Sequence, residues 1–452
     1  METLRHTRTT CPVCLREVPG TVTLRDGIAW LERECPDHGP RAALLSRHPE
    51  YFRDIHEFYF DLMRESFPQH DFILRTTDRC NLECPICLAS ANERALPDLP
   101  QEQLIEFVRT RKRNKIDLMG AEPTVREDLP ELIRIVADSG NYAALHTNGI
   151  RLAELDYLRT LVDAGLSEVH FQLDGFDDGV YRSIRGKELL DNKMQALENL
   201  KKLDVATDLK CTICNDINTD QLGAVFDYAV KNDFVREVFF LGCRWLGRQR
   251  EGEDDALLAP DELIDFLDEQ TGGRINRDDV RVFQKIYFAM LHLSRLRKCF
   301  YNQHYLVVRE NGGYRTAFEV IKKDGLDEKL EAYRRGTNGG KRRWLPALAL
   351  GFRLLPHFTN LRALRLLWDG VVLKFLLSLG FAIKRVPRRN LLVGYISACD
   401  PLIWDEAVAR NCGKGDIAVD IGSHDSGATA NVERDRRIYA EAEWEMREKP
   451  DD

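Results

Sequence analysis

The chain has 452 residues and a mass of 52.0 kDa; 44% of its residues are hydrophobic, 31% are charged and its formal net charge is −8. This composition excludes collagen, a disulfide miniprotein and a wholly disordered chain. The acidic balance, with a pI near 5.9, argues against general nucleic-acid binding, so no nucleic-acid partner is expected. No apolar stretch approaches the roughly 20 uninterrupted residues that span a bilayer, and Met1-Glu-Thr-Leu-Arg-His-Thr-Arg lacks the apolar region of a secretory signal. The expected location is therefore the cytoplasm, where thiols stay reduced. Twelve cysteines in that compartment point to metal chemistry rather than disulfides.

Residues 1–45 are expected to form a small metal-binding ribbon. Cys11-Pro-Val-Cys14 and Cys35-Pro-Asp-His38 flank two alternating stretches joined by Asp26-Gly27, a strong hairpin signal. Cys11, Cys14, Cys35 and His38 then form two knuckles able to close a tetrahedral zinc or iron site, and the metal would hold so short a segment together. Residues 46–70, rich in aromatic and charged side chains, read as a linking helix.

From 71 to 270 short apolar runs alternate with amphipathic helical patterns. The runs begin at Phe72, Lys115, Tyr142, Glu168, Ala206 and Glu237; one intervening helix puts Leu222, Val225, Phe226, Ala229 and Val230 on a single face. Six strands each followed by a helix imply an α/β fold with a parallel sheet, whose ligands gather at the C-terminal ends of the strands. Residues 271–432 read as a mostly helical substrate or auxiliary region. Within it, 341–389 hold eleven Lys or Arg and a single acid, Asp369, among Trp and Leu residues. Such a basic, apolar segment in an acidic protein fits peripheral contact with a membrane surface; a core helical pair whose cations meet the acidic remainder is the alternative. Residues 433–452 read as a charged tail.

After the first expected strand of the sheet comes Thr77-Asp-Arg-Cys80-Asn-Leu-Glu-Cys84-Pro-Ile-Cys87. Three cysteines so spaced can hold three irons of a four-iron cluster and leave the fourth open to a small molecule. A zinc knuckle would demand a fourth ligand nearby, and this stretch has none. The motif resembles the signature of the radical S-adenosylmethionine (SAM) superfamily, which follows the first strand of a partial (β/α)6 barrel. The resemblance implies a [4Fe-4S] cluster on Cys80, Cys84 and Cys87. It also implies SAM chelated to the open iron and a 5′-deoxyadenosyl radical that abstracts hydrogen.

Three further strand ends carry the same resemblance. Gly120-Ala121-Glu122-Pro123-Thr124 is similar to the family's Gly-Gly-Glu-Pro motif, with Ala for the second Gly. His146-Thr-Asn148-Gly149 matches its frequent Thr-Asn-Gly, and Gln172-Leu-Asp174-Gly175 offers polar groups toward ribose or substrate. Gly120 to Thr124, His146, Asn148, Gln172 and Asp174 are thus implied to shape the SAM pocket.

A narrower resemblance covers most of the chain. The paired N-terminal knuckles, Phe171-Gln-Leu-Asp-Gly-Phe, Tyr181-Arg-Ser-Ile-Arg-Gly186 and Glu269-Gln-Thr-Gly-Gly273 are similar to the archaeal tetraether lipid synthase family and its bacterial relatives. Some of these are labelled pterin methylases, and their barrel is like that of molybdenum-cofactor-biosynthesis protein A. This implies hydrogen abstraction and carbon–carbon bond formation on an alkyl chain, with an electron donor such as a ferredoxin or flavodoxin. The chain departs from that family in having no cysteine in 46–79 and few after the barrel. An auxiliary iron–sulfur cluster would rest on Cys299, Cys399 and Cys412 with a non-cysteine fourth ligand; Cys211, Cys214 and Cys243 are expected to pack. A second reading keeps the chemistry but makes the substrate a pterin, a peptide or another small molecule, and polar rather than apolar pocket walls would favour it. A third is a non-catalytic iron–sulfur or zinc protein, against which the full motif series argues.

Overall fold

A computed structural model describes residues 1–64, 71–93, 98–243, 248, 257–296, 298–337, 350–378, 387–397, 402–411, 414–417 and 423–424. Cys399, Cys412, the charged tail and much of 341–389 lie outside the described residues.

The N-terminal segment is a four-stranded antiparallel sheet of β1 (Glu2–Thr10), β2 (Glu17–Arg25), β3 (Ile28–Cys35) and β4 (Gly39–Ser46). Asp26 and Gly27 both have positive φ, +54° and +76°, and join the directly paired Arg25 and Ile28. Two left-handed residues give the turn a twist that matches the flanking strands, as the Asp-Gly signal predicts. Helix α1 (Pro49–Leu62) follows, burying Tyr51, Phe52, Ile55, Phe58 and Tyr59.

The expected alternation then appears. Strands β5 (Asp71–Arg75), β6 (Lys115–Met119), β7 (Tyr142–Thr147), β8 (Leu166–Gln172), β9 (Ala206–Ile213) and β10 (Val235–Gly242) lie side by side and parallel. Helices α2 (Gln101–Arg109), α3 (Leu129–Asp138), α4 (Leu155–Asp163), α5 (Asp178–Arg185), α6 (Leu190–Lys202) and α7 (Leu222–Lys231) fall between them. Side chains alternate across each strand. Ile116, Leu118, Leu145, Val169, Phe171, Leu209 and Phe240 pack outward with Leu132, Leu158, Leu197 and Phe226 of the helices. The opposite, inner face receives the residues between them.

The sheet does not end at residue 242. After α8 (Pro260–Gln270) and α9 (Arg277–Ser294) come β11 (Asn302–Glu310) and β12 (Gly313–Thr316), then β13 (Asn390–Ser397) and β14 (Lys414–Ile417). Strand β13 pairs parallel with β10, and β14 parallel with β5. C-terminal segments thus satisfy the backbone groups that both edges of the six strands would leave open.

The ribbon is fastened to the same C-terminal region. Arg5 reaches the Asp405 carboxylate, Thr7 Oγ1 donates to Asp405 Oδ1 at 2.8 Å, and Thr9 Oγ1 donates to the Trp404 carbonyl at 2.6 Å. Among the described residues no helix is long and apolar enough to cross a membrane.

Candidate functional site

The ribbon knuckles bring their four ligands together as the spacing predicts. Cys14 Sγ is 3.8 Å from Cys35 Sγ, and His38 Nδ1 lies 3.7 Å from Cys11 Sγ and 3.4 Å from Cys35 Sγ. Metal bonds of about 2.3 Å to sulfur and 2.0–2.1 Å to nitrogen set tetrahedral ligand atoms roughly 3.4–3.8 Å apart, so the residues fit one ion. The His38 imidazole pulls the Cys35 thiol down to about 6, toward the thiolate a metal needs.

The loop after β5 gathers Cys80, Cys84 and Cys87 around Leu82, Tyr181 and Leu189. Two backbone N–H groups already point at sulfur: Leu82 N to Cys80 Sγ at 3.3 Å and Ala91 N to Cys87 Sγ at 3.4 Å. Burial pushes the Cys80 thiol up to about 12, so holding it as thiolate calls for adjacent positive charge such as iron. Sulfurs with amide donors, grouped on one loop, fit a four-iron cluster.

Residues that sequence reading missed hold this loop. Arg248 donates from its backbone N to the Cys87 carbonyl (2.9 Å), and from Nη1 and Nη2 to the carbonyls of Cys84 (2.8 Å) and Ala91 (2.5 Å). The Asn92 side chain grips Cys80, accepting from its N–H at 2.9 Å and donating to its carbonyl at 3.0 Å. Arg185 contacts the Cys84 sulfur while binding both oxygens of Asp174, at 2.8 and 2.9 Å. Arg185 lies in a quoted motif; Arg248 and Asn92 had no local signal.

The other motif residues sit at successive strand ends beside the cluster loop. A Cβ on Gly120 would lie 2.3 Å from the Thr77 carbonyl oxygen, so only glycine lets the loops meet. Ala121 N donates to that oxygen at 2.9 Å. Glu122 is fully buried. Its carboxylate accepts from Thr124 N and Oγ1 (3.0 and 2.6 Å), Thr147 Oγ1 (2.8 Å) and Asn148 N (2.6 Å). It thus braces two strand ends, with Pro123 opening the short turn that carries Thr124. Asn148 donates to Asn81 Oδ1 at 2.7 Å, beside Cys80. Gln172 and Asp174 are less free than the motif suggests, since Asp174 is buried against Arg185 and Gln172 bonds Asp174 and Lys193. Lys193, fully buried on α6, donates to the carbonyls of Asn148 and Gln172 and ties these ends together; burial brings its pKa down to about 7.

His146 lies two residues below Asn148, on the inner face. There it meets Asp117 and His170; His170 in turn meets Asp117, Glu168 and Asp208, with Lys115, Lys210 and Glu237 around them. Lys115, His146, Glu168 and Lys210 keep 24, 24, 19 and 22% of their side-chain surface exposed, so the face is open rather than filled. Burial, Lys115 and Lys210 pull the His170 pKa down, but Asp117 and Asp208 outweigh them and it stands at about 9. Burial and then Asp208 push Glu237 up to about 7.

Of the expected auxiliary ligands only Cys299 is described; it is buried in the aromatic core near Phe300. Cys211 faces the helices, and Cys214 pairs with Cys243 in a small apolar cluster, packing as expected.

Residues 74–217 match the family model described as the radical SAM superfamily, and residues 3–47 match the HMPTM N-terminal zinc ribbon domain. The chain is 32% identical over 306 residues to the 7,8-dihydro-6-hydroxymethylpterin dimethyltransferase of Methanocaldococcus jannaschii, covering 61% of this chain and 60% of that one. It is 30% identical over 174 residues to a probable GTP 3′,8-cyclase of Pyrococcus abyssi, covering 38% of this chain and 56% of the relative. The chain thus spans only some 60% or less of the length of these two relatives. Among solved structures, anSMEcpe with bound AdoMet and the Kp18Cys peptide aligns at a TM-score of 0.39 and 19% identity, over 52% of this chain and 71% of that one. The expected tetraether synthase kinship finds no support among these relatives, which are a pterin dimethyltransferase and a nucleotide cyclase. What does stand is the coarser assignment: residues 74–217 are a radical SAM domain, which entails a [4Fe-4S] cluster and SAM, and residues 3–47 are a zinc ribbon, which entails the N-terminal metal.

Proposed function

We propose that this enzyme modifies a small, polar, nitrogen-rich heterocycle of the pterin class. The observation that carries the reading is the inner face of the sheet. An alkyl chain would need apolar walls there, and the face instead presents Lys115, His146, Glu168, Lys210 and Glu237. Coupling of lipid tails is therefore not proposed. The pterin dimethyltransferase relative supports the choice of class.

When bound, reduced cluster and SAM together supply a carbon radical that takes a hydrogen atom from the substrate. Everything else falls to the chain. Cys80, Cys84 and Cys87 hold iron, and Arg248 and Asn92 fix their loop. Gly120 and Ala121 let the second strand end approach the cluster loop, and Glu122 and Lys193 brace the neighbouring ends. Inner-face carboxylates and amines orient the substrate by hydrogen bonds, so that one bond faces the radical.

Anaerobically reconstituted enzyme, reduced by a flavodoxin or ferredoxin, is expected to convert SAM to 5′-deoxyadenosine and methionine. The Cys84→Ala variant is expected to be inactive; equal turnover by both would refute the radical chemistry. Deuterium moving from a labelled hydroxymethylpterin into 5′-deoxyadenosine would support the substrate class. Transfer from a deuterated lipid tail instead would overturn it.

Peripheral membrane contact is a separate reading, favoured by exposed apolar side chains between 352 and 368. Phe352, Leu355, Leu361, Leu364 and Trp368 are 72, 51, 67, 49 and 68% exposed, and Arg353 and Arg365 lie exposed among them. Each cation near an anionic bilayer contributes about 1 kcal/mol, and inserted apolar side chains retain binding as salt rises. Co-sedimentation with anionic liposomes is expected to weaken but persist in high salt, and to vanish in a Phe352→Ser, Leu361→Ser, Trp368→Ser variant. A protein that stays in the supernatant at low salt has no such contact.

A further inference from the structure

We propose that the inner face of the sheet holds a divalent transition-metal ion on Asp117, His146 and His170, distinct from the ribbon metal and the iron–sulfur cluster. The three residues lie on adjacent strands, β6, β7 and β8. Their register puts His146 directly opposite His170, and Asp117 opposite Ala144, two residues earlier on β7. The two imidazole rings lie 4.1 Å apart and both turn Nε2 toward the same carboxylate oxygen. Asp117 Oδ1 is 3.4 Å from His146 Nε2 and 3.3 Å from His170 Nε2. A well-made N–H···O bond is shorter, about 2.7–3.2 Å. Ligands of one ion at about 2.0–2.2 Å stand roughly 2.9–3.5 Å apart.

The surroundings fit an ion as well. His170 Nδ1 lies 3.2 Å from Asp208 Oδ2, a carboxylate placed to accept from Nδ1–H when Nε2 serves as ligand. Glu168 Oε1, 3.1 Å from His170 Nε2, stands as a further oxygen donor at the rim while bonding Lys115. Charge balance asks for a cation. Asp117, Glu168, Asp208 and Glu237 face Lys115 and Lys210, which leaves a negative excess that either a divalent ion or protons on His170 and Glu237 offset. Two histidines and one carboxylate with open positions suit Fe(II), Mn(II) or Zn(II). The site lies below the strand ends that carry Asn148 and Gln172, so an open position can take an oxygen or nitrogen of the substrate. That last role rests on the proposed small-molecule activity, whereas the metal site does not.

The test is an EPR titration with Mn(II) on oxidised holoenzyme, whose four-iron cluster is diamagnetic. Manganese prefers oxygen and nitrogen donors and avoids the thiolate ribbon. One tight equivalent is expected in the wild type, weakened at least 10-fold in His146→Gln and in His170→Gln, with iron content and ribbon zinc unchanged. Pulsed EPR of the wild type should show hyperfine coupling to histidine nitrogen, which decides the matter even where a variant fails to fold. Weak binding that both variants leave unaltered, or bound Mn(II) without nitrogen coupling, would overturn the site and leave His170 as a protonated imidazole among carboxylates. Because the readout is binding, a positive result stands even where the deuterium experiment rejects the pterin class.

Discussion

At the level of single residues, the site depends on groups that are not themselves cluster ligands. Arg185 is the clearest case, since one guanidinium spans the Cys84 sulfur and the Asp174 carboxylate. A cation touching a cluster ligand favours the reduced, more negative cluster. Arg185→Gln is expected to make the cluster harder to reduce, shifting its potential by roughly 50–100 mV to more negative values. The same change leaves Asp174 buried without its partner and should cost about 3–5 kcal/mol of stability. EPR-monitored redox titration and denaturant unfolding measure the two effects, and an unchanged potential would make Arg185 a brace alone. The three cluster cysteines and Gly120 were legible in the sequence because their spacing and size are local constraints. Arg248 and Lys193 were not, because an arginine in a loop and a lysine on a helix normally read as solvated surface.

At the level of elements, the ribbon and the six parallel strands were legible for a related reason. Asp26-Gly27 fixes a hairpin by its own backbone preferences, and period-2 runs fix strands. What no local pattern encoded was that β1 would pair with the segment around Trp404 and Asp405. That contact leads to a prediction. Cys11→Ser should lose the ribbon metal and accelerate amide hydrogen exchange in β1 and in residues 402–411, while iron in the barrel cluster is unchanged. Exchange limited to the knuckles would mean that the ribbon fold survives without its ion.

At the level of the whole molecule, stability should depend on pH through buried histidines. Burial, then Arg5, holds the His56 pKa down to about 3, and burial, then Lys298, does the same for His304. In the unfolded chain both titrate near 6.5. The unfolded state thus binds the extra protons, and the stability of holding these rings neutral is present above about 6.5 and lost as pH falls toward 3. Each ring contributes a slope of up to about 1.4 kcal/mol per pH unit in that window. His56→Phe, seated among Phe52, Phe60 and Phe300, should lose about 2 kcal/mol less than wild type between pH 7.5 and 5.0. Identical pH slopes in denaturant unfolding would show that the His56 ring takes up its proton as readily in the folded protein as in the unfolded chain.

The placement of β13 and β14 also bears on how the chain is made. Both edges of the six-strand array are closed by segments near the C-terminus, at residues 390–397 and 414–417. On a ribosome, β5 and β10 must wait until more than 300 and about 150 further residues, respectively, have been added before their outer neighbours exist. During that interval two bare strand edges face other nascent chains, the circumstance in which parallel sheets are slow to fold and prone to aggregate. A C-terminal truncation would make that interval permanent, so shortened versions are expected to fail by aggregation while their catalytic motif remains intact.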